Sequence, residues 1–321
     1  MLASAVSRCA IYTGCMRLGR LAFPAVLFTF ATASLAPSRC PGQTAPPRIA
    51  SDLGQGGIAC RAYPPTTQSF KRKLWEDYEI SLGPAANSTG DGDNCTAAIY
   101  NKQGRVVYRT TGFNVVFDEN LTGQDFDGDG HGEVVFQTDT GGGNHCCWAY
   151  NVVSLFPKPH KLFDIDAEGA VQFEKDAAGK MVIWQRVAAP DVFIGPMAGR
   201  PFAERVYRVR EGKMVDATPE FCDRIFGDQS RYNKEWKAEL SAGNLAKLQS
   251  EDRQDEDEEI GRALLERAYQ HVLCRQFDDA VADLDLWPVV SRGKVKADFA
   301  AQIKNDFPEF AARLASTAAP K

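Results

Sequence analysis

The sequence predicts a mainly β protein, with short antiparallel strands in a propeller-like or sandwich arrangement and a small α-helical region at the C-terminal end. Between residues 69 and 215, short β-type runs alternate with Gly, Asp and Asn turn residues. After residue 216, apolar residues recur at helical spacing instead. The composition is 44% hydrophobic and 25% charged, which is ordinary for a globular protein.

The N-terminal residues predict export. Arg17 and Arg20 precede an apolar run that ends in the small residues Ala31-Thr32-Ala33 and Ser34-Leu35-Ala36. This pattern is typical of a secretory signal peptide, so we expect residues 1–36 to be removed and the protein to be secreted or periplasmic. The run is about sixteen residues long, shorter than the ~20 that a membrane span needs. An uncleaved anchor is the alternative, but we expect no membrane span after cleavage.

Composition also divides the mature chain. Residues 37–68 are rich in Pro and Gly and predict a linker, and residues 69–215 form the β domain. Within that domain ten runs predict strands, the first being KLWEDYEISL at 73–82. Residues 216–259 predict an acidic linker and residues 260–321 an α-helical region. The net charge of −5 and the lack of a Lys/Arg stripe argue against a nucleic-acid partner.

The stretch GQDFDGDGHGEVVFQ, at residues 123–137, predicts a metal loop. Acids stand at alternate positions, Asp125, Asp127 and Asp129, and Glu133 opens a strand. Ca²⁺ takes about six to eight oxygen ligands, and alternating carboxylates can converge on one ion. Without a cation between them, four clustered negative charges repel one another. His131 needs to offer only its backbone carbonyl. The alternative is an unoccupied Asp/Gly turn.

Two classes of calcium loop have acids at this spacing. An EF-hand requires flanking helices and a Glu at position 12, where this chain has Phe136 inside a predicted strand. The stretch instead resembles the D-x-D-G-D-G-x-x-[DE] loop of FG-GAP/VCBS-type β-propeller repeats. That resemblance implies bound Ca²⁺ and the ligands Asp125, Asp127, Asp129, Glu133 and the carbonyl of His131. A second stretch, FEKDAAGKMV, keeps Asp176 and Gly179 but lacks the acid series, so no second ion is expected there.

The stretch TGGGNHCCWAY contains His145, Cys146 and Cys147. Its Gly-Gly-x-His-Cys-Cys core resembles a motif of exported bacterial proteins of unknown function, which implies no activity. Three interpretations remain open: a structural site in which one cysteine bonds a distant one such as Cys95, a soft-metal site, and a nucleophilic thiol beside the histidine. Export favours the structural interpretation, because disulfides persist in oxidising compartments.

A helical pair near the C-terminus resembles one tetratricopeptide-type hairpin. Tyr269 lies in its first helix, and Phe277, Ala280 and Leu284 lie in its second. Stable arrays of such repeats need about three copies, so one hairpin predicts a packing cap or a dimer element.

The predicted function is that of an exported calcium-binding β-repeat protein, a binding or structural module with an unknown protein or carbohydrate partner. The alternative is an exported enzyme, a hydrolase or a thiol-dependent one that uses His145, Cys146 and Cys147. No catalytic residue is assigned, since G-x-S-x-G, H-E-x-x-H and P-loop motifs are missing from the sequence. A third possibility is an interaction protein that uses the acidic segment and the helical hairpin.

Overall fold

The computed structural model describes residues 48–49, 53–75, 77–86, 93–139, 141, 148–167, 169–190, 192, 200–249 and 257–318. The predicted signal peptide lies outside these residues, as do His145, Cys146, Cys147 and the acidic residues 251–256.

The described residues form fourteen strands and seven α-helices. The strands are β1 Arg48–Ile49, β2 Gly57–Cys60, β3 Phe70–Lys73, β4 Glu79–Pro84, β5 Cys95–Tyr100, β6 Val106–Gly112, β7 Asn114–Asp118, β8 Val134–Asp139, β9 Trp148–Ser154, β10 His160–Asp166, β11 Val171–Lys175, β12 Met181–Ala188, β13 Phe202–Arg210 and β14 Lys213–Asp216. The helices are α1 Cys222–Ile225, α2 Arg231–Glu239, α3 Ala242–Leu248, α4 Asp257–Leu273, α5 Phe277–Asp285, α6 Val289–Ile303 and α7 Pro308–Ala318. A 3₁₀ turn, Thr218–Phe221, precedes α1.

The strands form three open antiparallel sheets, each built on a meander of four consecutive strands. The first sheet has the order β3-β4-β5-β6, the second β10-β9-β8-β7-β2 and the third β1-β11-β12-β13-β14. The early strands β2 and β1 pair with β7 and β11, the first strands of the second and third meanders. The expectation of a mainly antiparallel β protein with helices at the C-terminal end is therefore confirmed.

The central strands are buried on both faces because the sheets stack in layers. In β8, Val134 and Phe136 pack in a core shared with the first sheet, whereas Val135 packs in a core shared with the third. Successive side chains of a strand point to opposite faces, so one strand serves two cores. In β12, Ile183 likewise packs towards the second sheet and Trp184 towards the helices. The layer order is first sheet, second sheet, third sheet and helices.

Buried polar contacts join the helices to the third sheet. In β13 the backbone N–H of Phe202 donates to Glu266 Oε1 at 3.0 Å, and that of Glu204 donates to Gln270 Oε1 at 2.8 Å. The Nε2 group of Gln270 donates back to the carbonyl oxygen of Glu204 at 3.0 Å. These bonds satisfy strand groups that a burying helix would otherwise leave without partners.

Several element boundaries differ from the expected ones. The stretch expected to be a linker at 37–68 contributes β1 and β2, whose hydrogen bonds come from distant strands. The expected acidic linker contains α1, α2 and α3, and Trp236 and Leu248 of these helices are buried. The predicted strand at 73–82 is interrupted by a turn at Asp77, whose φ is +64°. Short elements of this kind carry too few residues for a clear periodicity.

Two disulfides link residues far apart in the sequence. Cys60 bonds Cys95 over a separation of 35 residues, and Cys222 bonds Cys274 over 52. The suggestion that Cys95 pairs with Cys146 or Cys147 was therefore wrong, since Cys60 in β2 occupies that position. Disulfides are compatible with an extracellular or periplasmic location. In the described part of the chain, no helix combines the length and apolarity of a membrane span.

Tyr269 of α4 and Ala280 and Leu284 of α5 are buried in the core that the helices share with the third sheet. Phe277 packs against the same core and stacks on Phe310 of α7, with ring centroids 4.9 Å apart. The apolar residues of the tetratricopeptide-like hairpin thus pack inside this molecule.

Candidate metal centre

The predicted metal loop connects β7 to β8 in the second sheet. Two backbone hydrogen bonds close its base: Gly123 N–H donates to the carbonyl of Glu133 at 2.8 Å, and Glu133 N–H donates to the carbonyl of Gln124 at 3.0 Å. The chain segments approach closely there, because a Cβ on Gly132 would lie 2.6 Å from the carbonyl oxygen of Gly123. Only glycine fits at position 132 without displacing the backbone.

Asp125 organises the tip of the loop. Its Oδ1 accepts a hydrogen bond from Gly128 N–H at 2.6 Å, and its Oδ2 accepts one from Gly130 N–H at 3.0 Å. Both glycines have left-handed backbone conformations, with φ of +82° and +90°, which residues with a Cβ rarely adopt. The glycines therefore let the loop fold back around this carboxylate.

Each of the next two acids accepts a hydrogen bond from the backbone N–H two residues further on. Asp127 Oδ1 accepts from Asp129 N–H at 3.1 Å, and Asp129 Oδ1 accepts from His131 N–H at 2.7 Å. Asp129 is exposed, whereas Asp127 is partly buried. The His131 ring stacks on Phe156, with centroids 3.8 Å apart, so its side chain is engaged outside the loop.

Three of the predicted ligands converge. Asp125, Asp127 and Glu133 each offer a carboxylate oxygen, and these oxygens lie within 4.8 Å of one another. Asp129 is not part of this group. Burial raises the pKa of Asp127, and the charges of Asp129 and Asp125 raise it further.

Glu133 is the most unusual member of the group. Its side chain is completely buried, its Oε2 accepts from Phe126 N–H at 2.7 Å, and its Oε1 has no hydrogen-bond partner. Burial raises the pKa of Glu133 to about 8, and the charges of Asp127 and Asp125 add to the shift, against the opposing effect of the Phe126 hydrogen bond. A buried carboxylate oxygen without a donor is costly unless a cation approaches it.

Phe126 anchors the loop, a role that the sequence did not reveal. Its buried ring packs edge-on against Phe163 of β10 and Phe173 of β11, with centroids 5.8 and 5.9 Å apart. The sequence does contain a signal for this role, because Phe126 is a single large apolar residue between two acids and is therefore expected to be buried. Because the second and third sheets share this core, the loop is fixed by both of them.

A cleft of about 590 Å³ lies beside the loop. Asp125 and Asp127 line one part of it, and Lys180 of the β11–β12 turn and Arg208 and Arg210 of β13 line another. Sequence reasoning missed these three basic residues, because nothing in their spacing relates them to residues more than fifty positions earlier.

The second stretch, FEKDAAGKMV, contributes the β11–β12 turn to this cleft. Asp176 Oδ1 accepts from Ala178 N–H and from Lys180 N–H, both at 2.9 Å, and Oδ2 accepts from Arg208 at 2.6 Å. The Arg208 guanidinium and these hydrogen bonds lower the pKa of Asp176, outweighing its partial desolvation. Asp176 therefore holds the β11–β12 turn and pairs with an arginine.

Comparison with protein-family models, curated proteins and solved structures gave no match to this chain. The geometry of the loop and the cleft therefore carries the functional proposal.

Proposed function

We propose that this chain is an exported calcium-binding β protein that acts as a binding or structural module. Asp125, Asp127 and Glu133 would hold the ion, with Asp129 and the carbonyl of His131 within the same loop. The observation that carries this proposal is the unpartnered, fully buried Oε1 of Glu133 beside two further carboxylates. A cation would supply the positively charged partner that this carboxylate oxygen lacks.

The donor set favours calcium over softer metals. The three convergent groups are all carboxylates, which suit hard cations, whereas zinc and copper sites usually include imidazole or thiolate. Calcium takes about six to eight oxygens and tolerates irregular geometry, so backbone carbonyls and waters can complete the shell. The resemblance to FG-GAP/VCBS loops supports the same ion.

A propeller-like arrangement of the three sheets is part of this proposal. Propeller blades are four-stranded antiparallel sheets, and the three sheets here each contain a meander of four consecutive strands. We infer that the sheets stack as blades do, with the ion holding the β7–β8 loop in the shape that packs Phe126 against the next sheet. The partner would be an unidentified protein or carbohydrate.

The test is thermal unfolding of the mature chain in calcium and in EDTA. Extracellular calcium modules bind with Kd of about 10⁻⁴–10⁻³ M. At ~10 mM calcium and a Kd of ~10⁻⁴ M, binding stabilises the folded state by about 2.7 kcal/mol. For a chain of this size that raises Tm by about 4–5 °C.

The variant Asp127→Ala should show the same Tm in both solutions. The matched control is Asp164→Ala, which removes an exposed aspartate of β10 and should keep the calcium response. Equal Tm values for the unmodified chain with calcium and with EDTA would refute the proposal.

A further inference from the structure

The cleft beside the loop has the size and lining of a small-ligand site. Its volume of about 590 Å³ lies within the roughly 300–1,000 Å³ usual for such sites. Four acids and three bases line it, so most of its functional groups are charged. A lining of this kind suits a ligand rich in hydroxyl and carboxylate groups more than an apolar one.

The metal cluster opens onto this cleft. Asp125 and Asp127 belong both to the group of convergent carboxylates and to the cleft lining, while Glu133 lies buried behind them. Three protein carboxylates do not fill a shell of about six to eight oxygens. The side of the ion that faces the cleft can therefore accept oxygens from a ligand.

The basic residues of the cleft differ in how freely they can bind a ligand. Arg208 is held by Asp176 and Glu220 and is only 19% exposed. Among the described residues Arg210 pairs with Glu220, at 2.5 Å, and it is 54% exposed. Lys180 is exposed and has no ion-pair partner among the described residues. Lys180 and Arg210 are thus the cations that can meet an incoming carboxylate.

Calcium would neutralise most of the negative charge on one side of this cleft. In the ion-free chain, Asp125 and Asp127 repel any anion that enters. A bound Ca²⁺ offsets those two charges and offers coordination positions to oxygen ligands. Ligand binding then requires both the ion and the basic residues.

We propose that the cleft binds a uronic-acid oligosaccharide. Sugar oxygens would coordinate the calcium ion, and a uronate carboxylate would accept charge-assisted hydrogen bonds from Lys180 and Arg210. This proposal rests on the calcium site proposed above. A sugar acid fits because it offers neighbouring hydroxyl oxygens for the ion together with carboxylates for the two cations.

The experiment measures binding of trigalacturonic acid to the mature chain by calorimetry, in calcium and in EDTA, alongside a direct calcium titration. The uronide should bind in calcium only, and a neutral galactose trimer should bind at least about tenfold more weakly, because it forms no charge-assisted hydrogen bonds. The double variant Lys180→Ala/Arg210→Ala should bind calcium normally and bind the uronide at least about tenfold more weakly. Lys102→Ala, which removes an exposed lysine near the β5–β6 turn, should behave as the unmodified chain.

The outcomes separate the two proposals. Calcium binding without uronide binding overturns the ligand inference and leaves the calcium site standing. Loss of calcium binding itself overturns both. Uronide binding that persists in EDTA, that matches the neutral trimer, or that survives the double variant shows that the ion and these two cations do not form the site. Unchanged Tm values confirm that the double variant is folded.

Discussion

Replacing Glu133 by glutamine should remove both the cost of a buried negative charge and the carboxylate that binds calcium. The amide has nearly the same shape, and its oxygen can still accept the hydrogen bond from Phe126 N–H. It cannot ionise, so it carries no charge into the buried site. We expect Glu133→Gln to stabilise the calcium-free chain at alkaline pH and to abolish its response to calcium.

The magnitude follows from the pKa of Glu133, which is raised from 4.5 to about 8 in the folded chain. A carboxyl group with a raised pKa contributes stability below pH 4.5, and this contribution is lost as the pH rises through 8. Between pH 5 and pH 8 the ion-free chain should lose on the order of 3 kcal/mol through this group, since one pKa unit corresponds to about 1.36 kcal/mol. Glu133→Gln should be more stable than the unmodified chain by about 4 kcal/mol at pH 8.

The assay is urea unfolding in EDTA at several pH values from 5 to 8, followed by tryptophan fluorescence. Burial also raises the pKa of Glu204 and of Glu266, and both groups titrate in the two proteins alike. The difference between the two proteins therefore isolates Glu133. Glu309→Gln, an exposed change in α7, is the matched control and should follow the unmodified chain. Parallel pH profiles in EDTA, or a calcium response that survives Glu133→Gln, would refute the reasoning.

Two further substitutions test the packing around the site, each measured by urea unfolding. Gly132→Ala should lower the free energy of unfolding by about 1–3 kcal/mol and weaken the calcium response, because its Cβ would lie 2.6 Å from backbone. Gly243→Ala in α3, where a Cβ has open space, should raise the free energy of unfolding by about 0.5–1 kcal/mol. An equal effect of the two would contradict this. Arg224→Ala should cost about 2–3 kcal/mol, because it leaves the buried Glu174 without its two-pronged partner. Arg231→Ala removes only an exposed ion pair and should leave stability unchanged, and a similar loss in both variants would contradict the role of burial.

Local patterns in the sequence identified the main elements and the metal loop. The run EVVFQTD predicted β8, and the helical spacing after residue 216 predicted the C-terminal helices. The alternating acids and glycines predicted a sharply turned metal loop, and in the structure its tip folds around Asp125 through the bonds from Gly128 and Gly130. Each of these features depends on residues within a few positions of one another, so sequence spacing is sufficient to predict them.

Features that depend on distant residues could not be predicted in this way. β2 is a strand because β7 supplies its hydrogen bonds, and Cys95 bonds Cys60 because the fold brings the two together. The sequence placed four acids in one loop, but only the stacked sheets decide that Glu133 is fully buried while Asp129 stays exposed.

The sequence by itself thus determined which groups are candidates to bind an ion. The tertiary structure alone decided which of these groups are buried away from water and which basic side chains face them across the cleft. The physical reason is that turn geometry depends on neighbouring residues, whereas desolvation depends on the layers that pack over a group.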